Sequence, residues 1–504
     1  MKKVNPLLFA NFNISKLLKY TLLSVAVLYL LTYLCLAFFR LSYPYELEWI
    51  EGGMVDQVQR LVNGQTMYVA PSINFVPYLY TPLYFYLSAA ASIVFGGGLF
   101  PLRLVSFLAS LVSFTTIFLI VRAETKNWWL ALLSVGLFAA TYRVTGAWLD
   151  IARVDSLFLA LWLLFIYFVR GRKSIVYSLL TGVLAALAFL TKQTTLILCL
   201  PIIAYLFWAN WKYALFFIFV TTLTIGITTS VLNLQSAGWY TYYVFGLFQQ
   251  TEWLHSKFLI FWKDDLLVYL PIAVLFTLFF LAGNPKHDRP NLIRWMAILV
   301  GALAGAFLSR VKIGGYENVL LPAYAILSIL FGLGAGEIIK LSVQLNGWNR
   351  CRLELLVYFA CLIQMVILVY NPLAQIPTKA DLTEGNRLIQ FISDVDGEVF
   401  LPDHGYLSTL AGKRTYAHEA AIFEVLRGNQ HTVGKELLAE DLRDSIRQQT
   451  FDMIILDWES ERCCVEIDQH YTRVEGVFDD ETTFYPVTGF KSRPTFVYIA
   501  NRLK

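Results

Sequence analysis

The chain has 504 residues, 57% of them hydrophobic and only 15% charged, with a mean hydropathy of +0.57 and a formal net charge of +4. A soluble protein of this length carries roughly a quarter charged residues, so a water-soluble globular class is excluded. No basic patch points to nucleic acid, and in a membrane protein the sidedness of Lys and Arg says more than their sum.

The N-terminal stretch "MKKVNPLLFANFNISKLLKYTLLSVAVLYLLTYLCLAFF" has positive flanks, an apolar run too long for a signal-peptide core, and no small-x-small cleavage site. It predicts an uncleaved first span. Apolar runs of roughly 20 residues recur after it. They place spans near 16–39, 101–122, 128–145, 155–170, 174–190, 194–209, 213–235, 265–283, 292–309, 319–340 and 354–371. The short basic connections "VRAETK", "RGRK", "NWK", "NPKHDR" and "NRCR" then all fall on the cytoplasmic side, as the positive-inside rule asks. "TPLYFYLSAAASIVFGG", 81–97, opens with proline, ends in glycines and is short. Counting it as a span would turn "RGRK" outward, so it is assigned as a juxtamembrane or half-inserted helix of the first outer loop, 41–100.

Past residue 371 the composition changes. "EGNRLIQFISDV" and "KELLAEDLRDSIRQQ" predict amphipathic helices, while "GEVFLP", "FDMIILD" and "TFVYIANR" predict strands. The expected architecture is a polytopic all-α membrane domain, 1–371, with about eleven spans plus juxtamembrane helices, followed by a small extracytoplasmic α/β domain, 372–504.

Carboxylates gather on the expected outer face. "LEWIEGGMVDQ" carries Glu48, Glu51 and Asp56, and a three-residue spacing on a helix would put both glutamates on one side. The bland alternative is an interfacial helix anchored by Trp49. Asp155 stands where the next span begins, a position that capping and the helix dipole also favour. Arg153 lies two residues before it, with Asp150 as an available partner. Lys192 and Gln193 in "TKQT", and Arg310 and Lys312 in "SRVKIGGYENVLLPAYA", put cations on the face where the charge bias disfavours them. Lys192 therefore calls for an anion: a phosphate, a lipid headgroup or Glu51. Beside the flexible pair Gly314–Gly315 and Tyr316, Glu317 and Asn318, the other two cations suit a phosphate or pyrophosphate.

The histidines 255, 287, 404, 418, 431 and 470 show no metal-ligand spacing, and "LPDHGYLSTLAGKR" predicts only a turn. Of the cysteines 35, 199, 351, 361, 463 and 464, the last two are vicinal. They give no disulfide framework and read as ordinary thiols. No metal and no cofactor are assigned, although the acids of 142–155 offer an incomplete ligand set for a divalent ion.

In order along the chain, "ELEWIEGG", "LVNGQTMYVAP", "YTPLYFYL", "ARVDSLFLALWLLFIYF", "TKQT" and "KIGGYENVLLPAYA" resemble membrane-embedded glycosyltransferases of the GT-C fold. The likeness is to the glycosyltransferase 39 type, the bacterial relatives of protein O-mannosyltransferases and of the aminoarabinose transferase, and covers about residues 16–340. It implies transfer of a hexose or pentose from a polyprenyl-phosphate sugar to a hydroxyl of a lipid, glycan or protein, on the non-cytoplasmic face of the plasma (inner) membrane. Carried over, Glu51 or Glu48 is the general base, with Glu51 preferred because "EGG" matches the family's acidic-glycine motif. Asp155 matches its second acid. Lys192, Arg310 and Lys312 are phosphate ligands, and Gln193, Arg153, Tyr80, Tyr316, Glu317 and Asn318 are further substrate contacts. A transporter or flippase of lipid-linked glycans is the alternative, against which stands the lack of repeated halves or paired broken spans.

Overall fold

The computed structural model describes residues 6–171, 174–247, 250, 252–283, 285–427, 431–459, 461–478 and 480–503. Arg172, Lys173 and Asn284, and the side chains of 285–288 including His287, lie outside the described residues.

Eight helices lead the chain: α1 Pro6–Leu41, α2 Glu51–Val62, α3 Leu83–Phe95, α4 Leu99–Thr125, α5 Trp128–Ala140, α6 Asp155–Val169, α7 Ile175–Phe189 and α8 Thr195–Gln235. Local chemistry sets several of their ends. The side chain of Asn127 caps α5 by accepting from the amide of Trp129, and Ser174 caps α7 by accepting from Tyr177. The two spans expected at 194–209 and 213–235 occur as α8, broken at Asn210 (φ −169°, ψ 99°). Asn210 Oδ1 accepts from the amide of Lys212 at 3.2 Å, so one residue ends the first half and caps the second.

The bundle is completed by the helices Pro271–Ala282, Pro285–Arg310, Leu321–Ser342 and Gly347–Ile367. Leu321–Ser342 is apolar all round and its membrane-length window is wholly buried, the signature of a central helix. Glycines allow close approach there: a Cβ on Gly332 would strike Ser134 Oγ, and one on Gly334 would strike the Phe276 carbonyl. By length and composition, five described helices can each cross a membrane, or seven if two bent pairs are counted. The 13 to 15 residues of α3, α5, α6 and α7 make them shorter. At 1.5 Å per residue, α3 reaches about 20 Å, less than the roughly 30 Å hydrocarbon core.

At one end of the bundle sits a four-stranded mixed sheet of order β1-β2-β4-β3, with β1 Val399–Phe400, β2 Met453–Leu456, β3 Tyr471–Val474 and β4 Phe496–Ala500. β1 and β2 are parallel, with Val399 opposite Met453, and β4 runs antiparallel to β2 and β3. Helices Lys379–Ser393 and Val433–Arg447 fall where amphipathic helices were expected. The sheet does not pack as a separate body. Met54, Tyr68 and Tyr84 of the first loop region share one apolar core with Tyr240, Phe400, Ile454 and Leu456. "LPDHGYLSTLAGKR" is more than the expected turn, because it holds the helix Gly405–Leu410, which packs on α2.

Candidate active site

Glu48 does not share a helix with Glu51. Helix α2 starts at Glu51, and Glu48 lies in the turn before it, so helical spacing does not relate the two. Both are nonetheless fully buried, in very different surroundings.

Glu51 is saturated. Arg103, in the first turns of α4, donates to both oxygens at 2.9 and 2.6 Å, and the amides of Ala152 and Leu47 donate at 2.6 and 2.7 Å. Arg103 also donates to the carbonyls of Arg40, Tyr43 and Tyr45. Burial alone would push this carboxyl up, but the Arg103 guanidinium and the two amides outweigh it and hold the carboxyl below the usual range. The site is a structural knot tying the end of α1, the first loop and α4 to the 147–154 turn.

Glu48 is half-satisfied. Its Oε2 accepts from Arg153 Nη1 at 2.7 Å and from the Ile50 amide at 3.2 Å, while Oε1 is buried without a hydrogen-bond partner among the described residues. Burial dominates here: it pushes the carboxyl up to about 7, against the opposing pull of Arg153. That places the group near neutrality, where a carboxylate can exchange protons with a hydroxyl.

The sequence offered Asp150 as one available partner for Arg153. Instead Asp150 pairs with Arg40 at 3.1 Å, and Arg153 spans from Glu48 to the Tyr80 hydroxyl, to which its Nη2 donates at 2.7 Å. The guanidinium also lies over the Tyr80 and Trp148 rings at 5.7 and 5.5 Å. Trp148 in turn stacks on Tyr316.

A cavity of about 170 Å³ opens beside Arg153. Tyr80, Lys192, Gln193, Lys312, Tyr316 and Asn318 line it with Arg153, joining four separated segments of sequence. Lys192 pairs with Asp155, its Nζ donating to Oδ1 at 2.6 Å, rather than with Glu51. Asn318 Nδ2 donates to the same Oδ1 at 3.0 Å. Asp155 thus stands behind the cavity wall and holds two lining side chains. Gln193 donates to the Leu79 carbonyl at 2.5 Å and to that of Val244 at 3.3 Å, within the π-helical turn Tyr242–Leu247.

Arg310 and Glu317 are placed otherwise. Arg310 donates to Asp265 at 2.8 and 3.2 Å, to Glu317 at 2.9 Å and to the Gly315 carbonyl at 2.8 Å. Two carboxylates neutralise it, and neither it nor Glu317 lines the cavity. Lys312, by contrast, lines the cavity and sits over the Trp253 ring at 5.4 Å.

Three lining residues come from the sheet-bearing unit: Ala420, Glu424 and Arg427 on or next to the helix Glu419–Leu426. Arg427 pairs with Glu424. Burial raises the Glu424 carboxyl to about 7 and lowers Arg427. Nothing in the local sequence marks this pair, because its role depends on how the sheet docks. Arg103 did carry a signal, being an isolated charge in an apolar helix.

A second cavity, about 420 Å³, lies at the opposite end, where Glu124 pairs with Arg170 at 2.6 Å and Arg294 at 2.8 Å near the break at Asn210. Its charges are arranged as a brace between helix ends, and both oxygens of Glu124 are engaged.

Residues 79–235 match the sequence profile of the dolichyl-phosphate-mannose-protein mannosyltransferase family. No curated protein matches the chain by sequence. Among solved structures, the ArnT of Cupriavidus metallidurans bound to undecaprenyl phosphate superposes with a TM-score of 0.59 at 12% identity, covering 94% of this chain and 97% of that one. The apo state of the same protein gives 0.60 at 13% identity, with the same coverage. The chain has a GT-C glycosyltransferase fold. The GT-C match spans nearly all of both chains, so it includes the C-terminal mixed sheet as well as the bundle. Within this GT-C frame the family profile falls on the segment from Tyr80 through Arg153, Asp155 and Lys192 to the end of α8.

Proposed function

We propose that this protein transfers a sugar from a polyprenyl-phosphate donor to an acceptor hydroxyl, with Glu48 as the general base. The observation that carries the reading is the half-satisfied carboxylate of Glu48, which does not itself line the cavity but is held by Arg153, a residue that lines it together with Lys192, Lys312 and Arg427. The acceptor oxygen attacks the anomeric carbon as its proton passes to Glu48 Oε1, and the bond from that carbon to the phosphate oxygen breaks. The leaving polyprenyl phosphate gains charge, which preorganised cations around the cavity stabilise. Lys192 is the foremost phosphate ligand, positioned by Asp155, with Arg153 and Lys312 on either side. Glu51, Arg310 and Glu317 act by holding the loops that carry these groups. The family profile over 79–235 and the overall fold support the reaction class.

The active site faces the non-cytoplasmic side in this reading. Support comes from Arg122, Arg170 and Arg350, which belong to connections distant from the cavity and satisfy the positive-inside rule if that end is cytoplasmic.

The test is release of polyprenyl phosphate by the purified full-length protein, given mixed polyprenyl-phosphate sugars and a cell-envelope acceptor extract. Turnover by wild type and its loss in folded Glu48→Gln is the expected result. Equal turnover in both would remove Glu48 from the chemistry, and movement of donor lipid across vesicles without release would replace transfer by transport.

A further inference from the structure

Next to the cavity, the sheet-bearing unit buries a second cluster of charge that the transfer reaction does not use. His404 bridges Glu46 and Asp457: its Nδ1 meets Glu46, and its Nε2 meets Asp457 Oδ2 at 3.1 Å. Asp403 and Glu461 adjoin Asp457, and Glu419 adjoins Asp403 and Glu461. Against these five carboxylates stand the imidazole of His404 and, reaching Glu419, the charge of Arg462. Unpaired buried carboxylates are costly, so the group as a whole needs protons or a further cation.

Part of this cluster has the make-up of a metal site. Glu419, Glu461 and Cys463 each bring one ligand atom to within 4.8 Å of the others. Glu461 Oε1 is engaged by the amides of Asp457 and Trp458 at 2.9 and 3.2 Å, which leaves Oε2 turned toward Cys463 Sγ at 3.6 Å. The Oε2 of Glu419 is sealed from solvent and has no hydrogen-bond partner among the described residues. Cys464 Sγ lies 2.7 Å from Cys463 Sγ. These ligands come from the start of one helix and from a separate turn, so no spacing rule finds them.

We propose that Glu419, Glu461 and Cys463 bind a zinc ion. Mixed thiolate and carboxylate ligands at this separation suit a borderline-soft, four-coordinate divalent ion better than calcium or magnesium, which take oxygen ligands only. Binding releases the Cys463 thiol proton and leaves a fourth position for Asp403 or water. The amides on Glu461 Oε1 are outer-sphere bonds that orient a ligand in the manner usual at zinc sites. The ion pins the segment that carries Glu461 and Cys463 to the helix Glu419–Leu426, of which Ala420 and Glu424 wall the cavity. Its role is to fix that wall, not to enter the reaction.

The test is zinc content by mass spectrometry of the purified full-length protein, grown with zinc, together with a count of reactive thiols after denaturation. Wild type is expected to hold close to one zinc per chain. Glu419→Gln and Cys463→Ser should lose most of it, and Cys361→Ser, in the bundle core, should keep it. Chelation of wild type should lower the thermal midpoint by several degrees, restored by zinc and not by magnesium, which covers the case of variants that fail to fold. Protein free of zinc, or with Cys463 and Cys464 oxidised to each other, would overturn the site, as would stoichiometric zinc in both ligand variants. None of these readings depends on the transferase assay.

Discussion

Arg153 Nη1 lies 2.7 Å from one oxygen of Glu48 and leaves the other oxygen, equally buried, with no partner among the described residues. One oxygen of this carboxylate is thereby fixed in place and the other left unengaged. Glu51, only three residues on, has both oxygens doubly engaged. Four donors leave no lone pair aimed at a substrate.

Replacement of Glu48 by Gln is therefore expected to cut turnover of the folded fraction by roughly 10²- to 10⁴-fold, the usual worth of a positioned general base, and to cost less stability than loss of Glu51, because Glu48 accepts from two donors and Glu51 from four. The pH profile gives the second readout. As the proposed base, Glu48 acts when deprotonated, and its carboxyl is pushed up to about 7, so wild-type turnover should fall roughly tenfold per pH unit below that point and level off above it. Stability runs the other way. The folded protein holds this proton more tightly than the unfolded chain, whose ordinary value is 4.5, so the contribution is present below about 4.5 and lost as pH rises through about 7. Glu48→Gln, which cannot ionise, should be missing that part of the pH dependence of melting.

Glu51→Gln and Arg103→Ala are expected to act on stability first. Breaking a buried pair strands one charge and costs about 3–5 kcal/mol. Thermal melting in detergent should show both variants far less stable than Glu48→Gln, with activity tracking the folded fraction. A Glu51→Gln protein that melts like wild type yet turns over nothing would return the base assignment to Glu51.

The choice between these glutamates shows where sequence reasoning stopped. The acidic first loop, the isolated cations and the order of "ARVD", "TKQT" and "KIGGYEN" were all legible, because charge at the edge of an apolar span has a physical cost that composition reveals. The apolar runs and the Asn210 break were legible, since a short polar interruption in a greasy run is itself the signal, but five to seven of the described helices reach membrane length against the eleven spans expected. What could not be read was pairing. Arg310 looks like Lys192 in sequence, yet two carboxylates neutralise it while Lys192 lines the cavity. The Glu424–Arg427 pair and the Glu419–Cys463 cluster depend on how the sheet docks on the first loop, a relation between segments hundreds of residues apart.

That difference between cations is testable. Lys192→Met should raise the KM for the polyprenyl-phosphate donor by tenfold or more, because a cation beside the phosphate is lost and Asp155 is left uncompensated. Arg310→Met should leave donor KM near wild type in whatever fraction folds, and lower the thermal midpoint, because its partners Asp265 and Glu317 lie off the cavity. Steady-state kinetics on the folded fraction of each separates the two, and an Arg310→Met protein with intact stability and a raised donor KM would make Arg310 a phosphate ligand after all.

Gly489 offers the most local test of the Glu48 environment. It sits in the sheet-bearing unit at φ +73°, next to Thr488, whose amide donates to the Leu47 carbonyl at 3.1 Å. A Cβ there would lie 2.7 Å from Glu48 Cγ and 3.3 Å from Trp148 Cη2. The left-handed backbone costs an L-residue roughly 1–2 kcal/mol, and the contact forces Glu48 or the loop to move. Gly489→Ala should consequently lower the catalytic rate more than it raises donor KM, since the base is displaced while Lys192 and Lys312 stay in place. Gly412, also at positive φ (+73°) but with open space around it, is the control. Gly412→Ala carries the same backbone cost and should leave turnover unchanged. If both variants lose activity alike, backbone strain in the sheet-bearing unit is the cause; if only Gly489→Ala does, the packing of that loop on Glu48 sets the position of the base.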